Sequence, residues 1–173
     1  MSVRAATPED AAAIARVHRE SWRTSYTGIL PIEVIEREAG HKTESGWRRR
    51  VASAGPGGEV WIAEAPKEGI VGFASCGDAR VAIEGLEAEI YALYVVQPRQ
   101  GQGIGRELVR ACARHFVRQG LFGFYLWVLR ANRARLFYEA MGGVEVAERQ
   151  ERLGLHRYDE VAYGWHDLTP LVS

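Results

Sequence analysis

The chain has 173 residues, 47% of them hydrophobic and 25% charged, the ordinary composition of a globular protein and enough for a single domain, 1–173, with its own core. Lysine plus arginine equals aspartate plus glutamate at 22 each, so the net charge gives no reason to expect a nucleic acid as partner. Two cysteines outside any CxxC pair and five scattered histidines argue against a disulfide framework or a metal site, and no apolar run approaches membrane-spanning length, so a cytoplasmic protein without membrane or metal is expected.

"SVRAA" (2–6) opens the chain as a short strand. Thr7, Pro8 and Asp10 then carry a helix-start signal, and Ala11, Ile14 and Ala15 follow at helical spacing. "PIEVIEREAG" (31–40) and "ESGWRRRVASAG" (44–55) read as two further helices. At 59 the period changes. "EVWIAEA" (59–65) and "GIVGFASC" (69–76) are strand-like runs joined by the hairpin signal "PKEG", and "AEIYALYVV" (88–96), apolar on both faces, suits a central strand. A glycine-rich turn and a helix to about Gln119 come next. "FGFYLWVL" (122–129) is a strand, "RARLFYEAM" (133–141) a helix stopped by Gly142 and Gly143, and "VEVAER" (144–149) and "DEVAYGWHDL" (159–168) are closing strands. The order is β-α-α-α-β-β-β-α-β-α-β-β, a mixed α/β fold rather than a regular βαβ series.

The turn before the long helix holds three glycines, Gly101, Gly103 and Gly105, in five positions. A strand, a glycine turn and a helix N-terminus make an anion site, because first-turn N–H groups have no partner inside the helix and the helix dipole adds partial positive charge. Arg106 in the first turn opposes that dipole unless an anion sits between them. A tight turn serving geometry alone is the alternative. The P-loop ending Gly-Lys-Ser/Thr is absent, and neither frame of the dinucleotide fingerprint is filled, since Arg106 or Leu108 stands where glycine belongs.

Gln100-x-x-Gly103-x-Gly105, following Leu93-Tyr94-Val95, resembles motif A of the GCN5-related N-acetyltransferases (the GNAT family). The stretch with Asn132, Arg135, Phe137, Tyr138 and Glu139 is similar to the strand and helix that follow in that family, and the likeness extends over nearly the whole chain. It implies a GNAT fold, a mostly antiparallel twisted sheet of about seven strands with helices on both faces. It also implies acetyl-CoA as cosubstrate, lying between two parallel strands that splay apart. By the same resemblance the pantetheine pairs with main-chain groups of Leu93, Tyr94 and Val95, and the diphosphate meets the N–H groups of Gln100, Gly101, Gln102, Gly103, Ile104, Gly105 and Arg106.

The resemblance gives Asn132 a contact to the cofactor arm, beside its other reading as a helix cap. Tyr138 becomes the acid that protonates the leaving thiolate, beside its reading as a core aromatic. Strand period two puts Glu89, Tyr91, Leu93 and Val95 on one face; Glu89 stands where a branch of the family carries its general base, and is otherwise a solvated strand-end glutamate. Oxyanion stabilisation falls to a main-chain N–H, that of Val95. Trp22 and Tyr26 share a helix face in the segment that edges the family's acceptor pocket, or they pack in the core. The implied function is transfer of an acetyl group to a primary amine of a small molecule or peptide by direct attack on the thioester. A non-catalytic acyl-CoA-binding module is the alternative, and homodimers are common in the family.

Overall fold

The computed structural model describes residues 1–54 and 59–173. Seven strands, β1 (Ser2–Ala5), β2 (Val60–Ala65), β3 (Gly69–Ile83), β4 (Leu86–Val95), β5 (Phe124–Leu129), β6 (Val144–Leu153) and β7 (His156–Trp165), form one sheet in the order β1-β2-β3-β4-β5-β7-β6. Every neighbouring pair is antiparallel except β4 and β5. The mixed, mostly antiparallel seven-stranded fold expected from the sequence is therefore present.

Among the described residues six helices accompany the sheet: α1 (Ala11–Tyr26), α2 (Ile32–Gly40), α3 (Glu44–Ala54), α4 (Ile104–Arg118), α5 (Ala134–Ala140) and α6 (Thr169–Val172). On one side Leu108, Cys112 and Phe116 of α4 and Tyr138 of α5 pack with Ala88, Ile90, Leu126 and Val128 of the sheet. On the other, Ile14 and Val17 of α1 and Val51 of α3 pack on Ile62 and Phe73, while Trp22, Tyr26, Val34 and Ile35 gather around Leu129. Helices thus cover both faces. Cys76 and Cys112 are free thiols buried among apolar side chains in the first of these clusters.

Several boundaries moved. The start predicted at Thr7 is a short 3-10 turn (Pro8–Asp10) before α1. The helix expected over 44–55 is seen to Ala54; Gly55 lies outside the described residues. β3 runs seven residues past Cys76, because Gly85 (φ +76°) turns the chain back and Ile83 pairs with Leu86. A second hairpin, turned at Gly154 (φ +65°), extends β6 to Leu153 and starts β7 at His156. The short helix α6 was not anticipated; four residues are too few to show a helical period.

One correction bears on the site. Ser75 pairs with Ala92 but Cys76 with Ile90, so Tyr91 is the extra residue of a β-bulge. The alternation reverses there. Leu93 and Val95 face the α4 side with Ala88 and Ile90, while Glu89 forms a cross-strand pair with Tyr125. Glu89 therefore shares its face with Ala92 and Tyr94, not with Leu93 and Val95 as a strict period of two had placed it.

Candidate active site

The parallel pairing of β4 and β5 stops after two positions, Ala88 with Phe124 and Glu89 with Tyr125. Beyond them the strands part, and a cleft of about 1360 Å³ opens between Leu93 to Val95 on one wall and Leu126 to Leu129 on the other. The ladder fixes which main-chain groups face it. Val96 N–H donates to the Val71 carbonyl at 2.9 Å. By antiparallel alternation Tyr94 also bonds to β3, whereas the N–H groups of Leu93 and Val95 point away from β3 toward the gap. Of the three residues expected to offer main-chain contacts, Leu93 and Val95 turn their N–H groups toward the gap, while Tyr94 borders the cleft with its N–H turned to β3. The Val95 carbonyl accepts a bond from Gln100 Nε2 at 3.0 Å, so that glutamine ties the glycine turn to the end of β4.

The turn itself leads from the Gln97–Arg99 3-10 turn into α4. Gly103 is the residue before the helix and sits in the left-handed region at φ +83°, where a side chain is strained. A Cβ added there would meet nothing within 4 Å, so the space above it is open. Gly105 serves a different need: a Cβ there would come 3.2 Å from the Phe137 ring, so its absence lets α5 pack against the start of α4. No side chain caps α4, and its first backbone bond is Glu107 N–H to the Gly103 carbonyl. The N–H groups of Ile104, Gly105 and Arg106 are left to an outside acceptor. Arg106 is exposed on the cleft and makes no ion pair among the described residues, while Glu107 pairs with Arg110 at 2.8 Å. Gln102 turns back to the loop, accepting from Arg99 and donating to the Pro98 carbonyl.

Three phenols meet at the gap. Tyr138 reaches it from the α4 side, 7% exposed, and Tyr26 and Tyr94 reach it from the other side with their hydroxyls 3.1 Å apart. Burial, then the nearby Tyr26, push the Tyr138 hydroxyl well above the usual phenol range, so it keeps its proton. Tyr94 is likewise pushed up, chiefly by burial. The Trp22 indole N–H lies near enough to favour ionised Tyr94, yet outside hydrogen-bonding geometry, and is buried without a partner. Trp22 and Tyr26 belong to one buried cluster with Leu30 and Val34, as core packing requires, and they also border the cleft.

Glu89 borders the same cleft with 1% of its surface exposed. It is not a solvated strand-end residue. Arg80 grips it twice, Nη2 to Oε1 at 2.7 Å and Nε to Oε2 at 3.1 Å, and Oε2 also accepts from the Arg80 N–H and the Tyr125 hydroxyl. The pairing raises the Arg80 guanidinium further above its usual value. Arg80, Tyr125 and the side chain of Gln100 escaped the sequence reading. Arg80 had no motif, and the long β3–β4 hairpin brings it within reach of Glu89, three positions beyond Gly77, the cross-strand partner of that glutamate. Asn132 Oδ1 accepts from the Ala134 N–H at 2.9 Å, capping α5, and also borders the cleft.

The cleft fits a ligand that combines a diphosphate with an extended amide chain, in that an open anion cradle continues into a strand edge with unpaired main-chain groups. No helix among the described residues is long and apolar enough to cross a membrane.

Comparison with known proteins agrees with this geometry. The sequence profile of the Acetyltransferase (GNAT) family matches residues 15–143. An uncharacterised N-acetyltransferase of Bacillus subtilis, YuaI, is 36% identical over 173 residues, spanning 100% of this chain and 97% of the relative. Among solved structures, PaiA N-acetyltransferase from Thermoplasma acidophilum in complex with coenzyme A superposes with a TM-score of 0.71 at 20% identity, over 95% of this chain and 98% of that one. The structure of yncA from Salmonella typhimurium with its cofactor acetyl-CoA gives a TM-score of 0.64 at 18% identity, over 95% of this chain and 92% of that one.

Proposed function

The chain belongs to the Acetyltransferase (GNAT) family and is an N-acetyltransferase, and from that premise we propose that its cleft binds acetyl-CoA and directs the acetyl group to a primary amine by direct attack. One observation supports this most: the unpaired N–H groups of Leu93 and Val95 run on into the uncapped start of α4 at Gly103. Leu93 and Val95 would hold the pantetheine arm, and the N–H groups of Gly103 to Arg106 the diphosphate, with Arg106 and Asn132 at its border. When bound, the cosubstrate supplies an acetyl thioester whose carbonyl carbon accepts the amine.

The residues divide the proton work. Tyr138 Oη carries a proton held by burial and is assigned to deliver it to the leaving sulfur. The Val95 N–H, free of β3, would donate to the oxygen on which charge develops, which leaves the Leu93 N–H and the Val95 carbonyl to the pantetheine arm. The amine must shed a proton, and Glu89 lies on the face of the sheet that carries α1 and Tyr26. Oε2 already accepts three bonds but Oε1 only one, so Oε1 is the atom assigned to take that proton through water, with Arg80 and Tyr125 holding the carboxylate still. Glu89→Gln is expected to lower kcat/KM about 10- to 100-fold at neutral pH, within the usual range for a lost base. An unaltered pH–rate profile in that variant would remove Glu89 from the reaction.

The function is tested by thiol release from acetyl-CoA against a panel of amines, with mass spectrometry of the products. Amine-dependent release with an acetylated product is expected. Saturable acetyl-CoA binding without turnover on any amine would instead favour a binding module.

A further inference from the structure

A second cavity, about 540 Å³, adjoins the cleft and shares Lys42, Arg80, Tyr91 and Ala92 with it. His18, Thr43, Trp47, Arg50 and Ser75 complete most of its wall, and no aspartate or glutamate lines it. Two of its cations are already matched, Arg80 by Glu89 and Arg50 by Glu59 at 3.2 Å.

Lys42 differs. It is half-buried, sits over the Trp22 ring at 4.7 Å, and makes no ion pair among the described residues. Its backbone is fixed from both sides: its N–H donates to the Ala39 carbonyl at 3.0 Å and its own carbonyl accepts from Arg19 at 2.7 Å. Burial lowers its pKa, and the Glu38 carboxylate, which also borders the cleft but lies beyond ion-pair distance, offsets that only in part. A neutral donor stands beside it. Trp47 Nε1 donates to His18 Nδ1 at 3.2 Å, so the neutral imidazole carries its hydrogen on Nε2, which has no partner among the described residues. Burial first, then Lys42, holds the His18 pKa down to about 3, so this ring stays neutral across the physiological range.

The cleft has the opposite character elsewhere along its wall. Glu151 and Glu160 of the β6–β7 hairpin border it, and Glu160 is bound by Arg149 at 3.0 Å whereas Glu151 has no ion pair among the described residues. One wall therefore offers an unmatched ammonium with neutral donors, and another offers carboxylates.

We propose that this second cavity seats the carboxylate of the acceptor against Lys42, so that the enzyme acetylates free amino acids rather than simple amines or polyamines. The inference rests on the acetyl-transfer reading for the amine end, but the cavity's own claim concerns binding. A carboxylate in it would complete the Lys42 charge and accept from His18 Nε2 and the Thr43 hydroxyl, while the amine end is left to the main cleft.

The test is calorimetric titration of the CoA-loaded protein with the twenty common amino acids and with the corresponding amines that lack the carboxylate. At least one amino acid is expected to bind saturably and at least tenfold more tightly than its decarboxylated counterpart. Lys42→Met should weaken that amino acid about 10- to 100-fold, the range for a lost charge-assisted bond, and leave the amine unchanged, with Lys42→Arg retaining much of the preference. Amines binding as tightly as their amino acids, no amino acid binding at all, or a preference intact in Lys42→Met would each overturn the proposal. Amino-acid binding without acetylated product would leave the carboxylate seat standing and count against the transfer reading.

Discussion

Gly103→Val is expected to weaken acetyl-CoA binding at least about 100-fold, equivalent to about 2.7 kcal/mol. Gly103 holds a left-handed φ of +83° at the mouth of α4. A β-branched residue in that region is a severe outlier, so the turn must re-form and swing the first N–H groups of the helix away from a common point. The open space above Gly103, where a Cβ meets nothing of the protein within 4 Å, is also where the diphosphate would approach, and an isopropyl group would fill it. Because no neighbour is displaced, the variant should still fold, with a melting temperature lower by a few degrees. Isothermal titration checks the affinity. A dissociation constant within threefold of the parent would mean that the phosphates sit elsewhere.

Tyr138→Phe is expected to lower kcat by about 100- to 1000-fold while acetyl-CoA affinity stays within about threefold, the pattern for an interaction used only as the reaction proceeds. The ring packs beside Tyr163 and Trp165, so phenylalanine keeps the core contacts and removes only the hydroxyl. The sign of the pH effect follows from the shift. Burial favours the neutral phenol and raises its pKa, so the acid form persists at every pH below that raised value. Wild-type kcat should therefore show no alkaline fall from this group up to about pH 10, where an unperturbed phenol ionises. Steady-state rates with direct binding measurements decide it. An undiminished kcat, or a loss of affinity equal to the loss of rate, would take the acid role from Tyr138.

These two residues were legible because their signals are local. A glycine before a helix reports its own backbone angle, and the Asn132 to Glu139 stretch carries its spacing within one turn and one short helix. Glu89 was found as a residue but not in its setting. One inserted position, Tyr91, moved it to the opposite face from Leu93, and a hairpin arm between the two predicted strands, to which the sequence assigned no element, supplied its partner Arg80. Period-two reasoning fails at a bulge because nothing in single-strand alternation marks where the count slips.

The sequence alone determined the order of the strands and longer helices and the mixed α/β class, since these follow from backbone preference and side-chain period over a few residues, whereas the diphosphate reading of the glycine turn and the acid reading of Tyr138 came from the family resemblance of their local motifs. Tertiary structure alone decided that β4 and β5 part after Glu89 and Tyr125, that the N–H groups of Leu93 and Val95 face the gap, and that Lys42 lies unmatched between two cavities. Those features depend on pairing register and on the meeting of segments far apart in the chain, where one residue of slip reverses every side chain and local propensity carries no record of the partner.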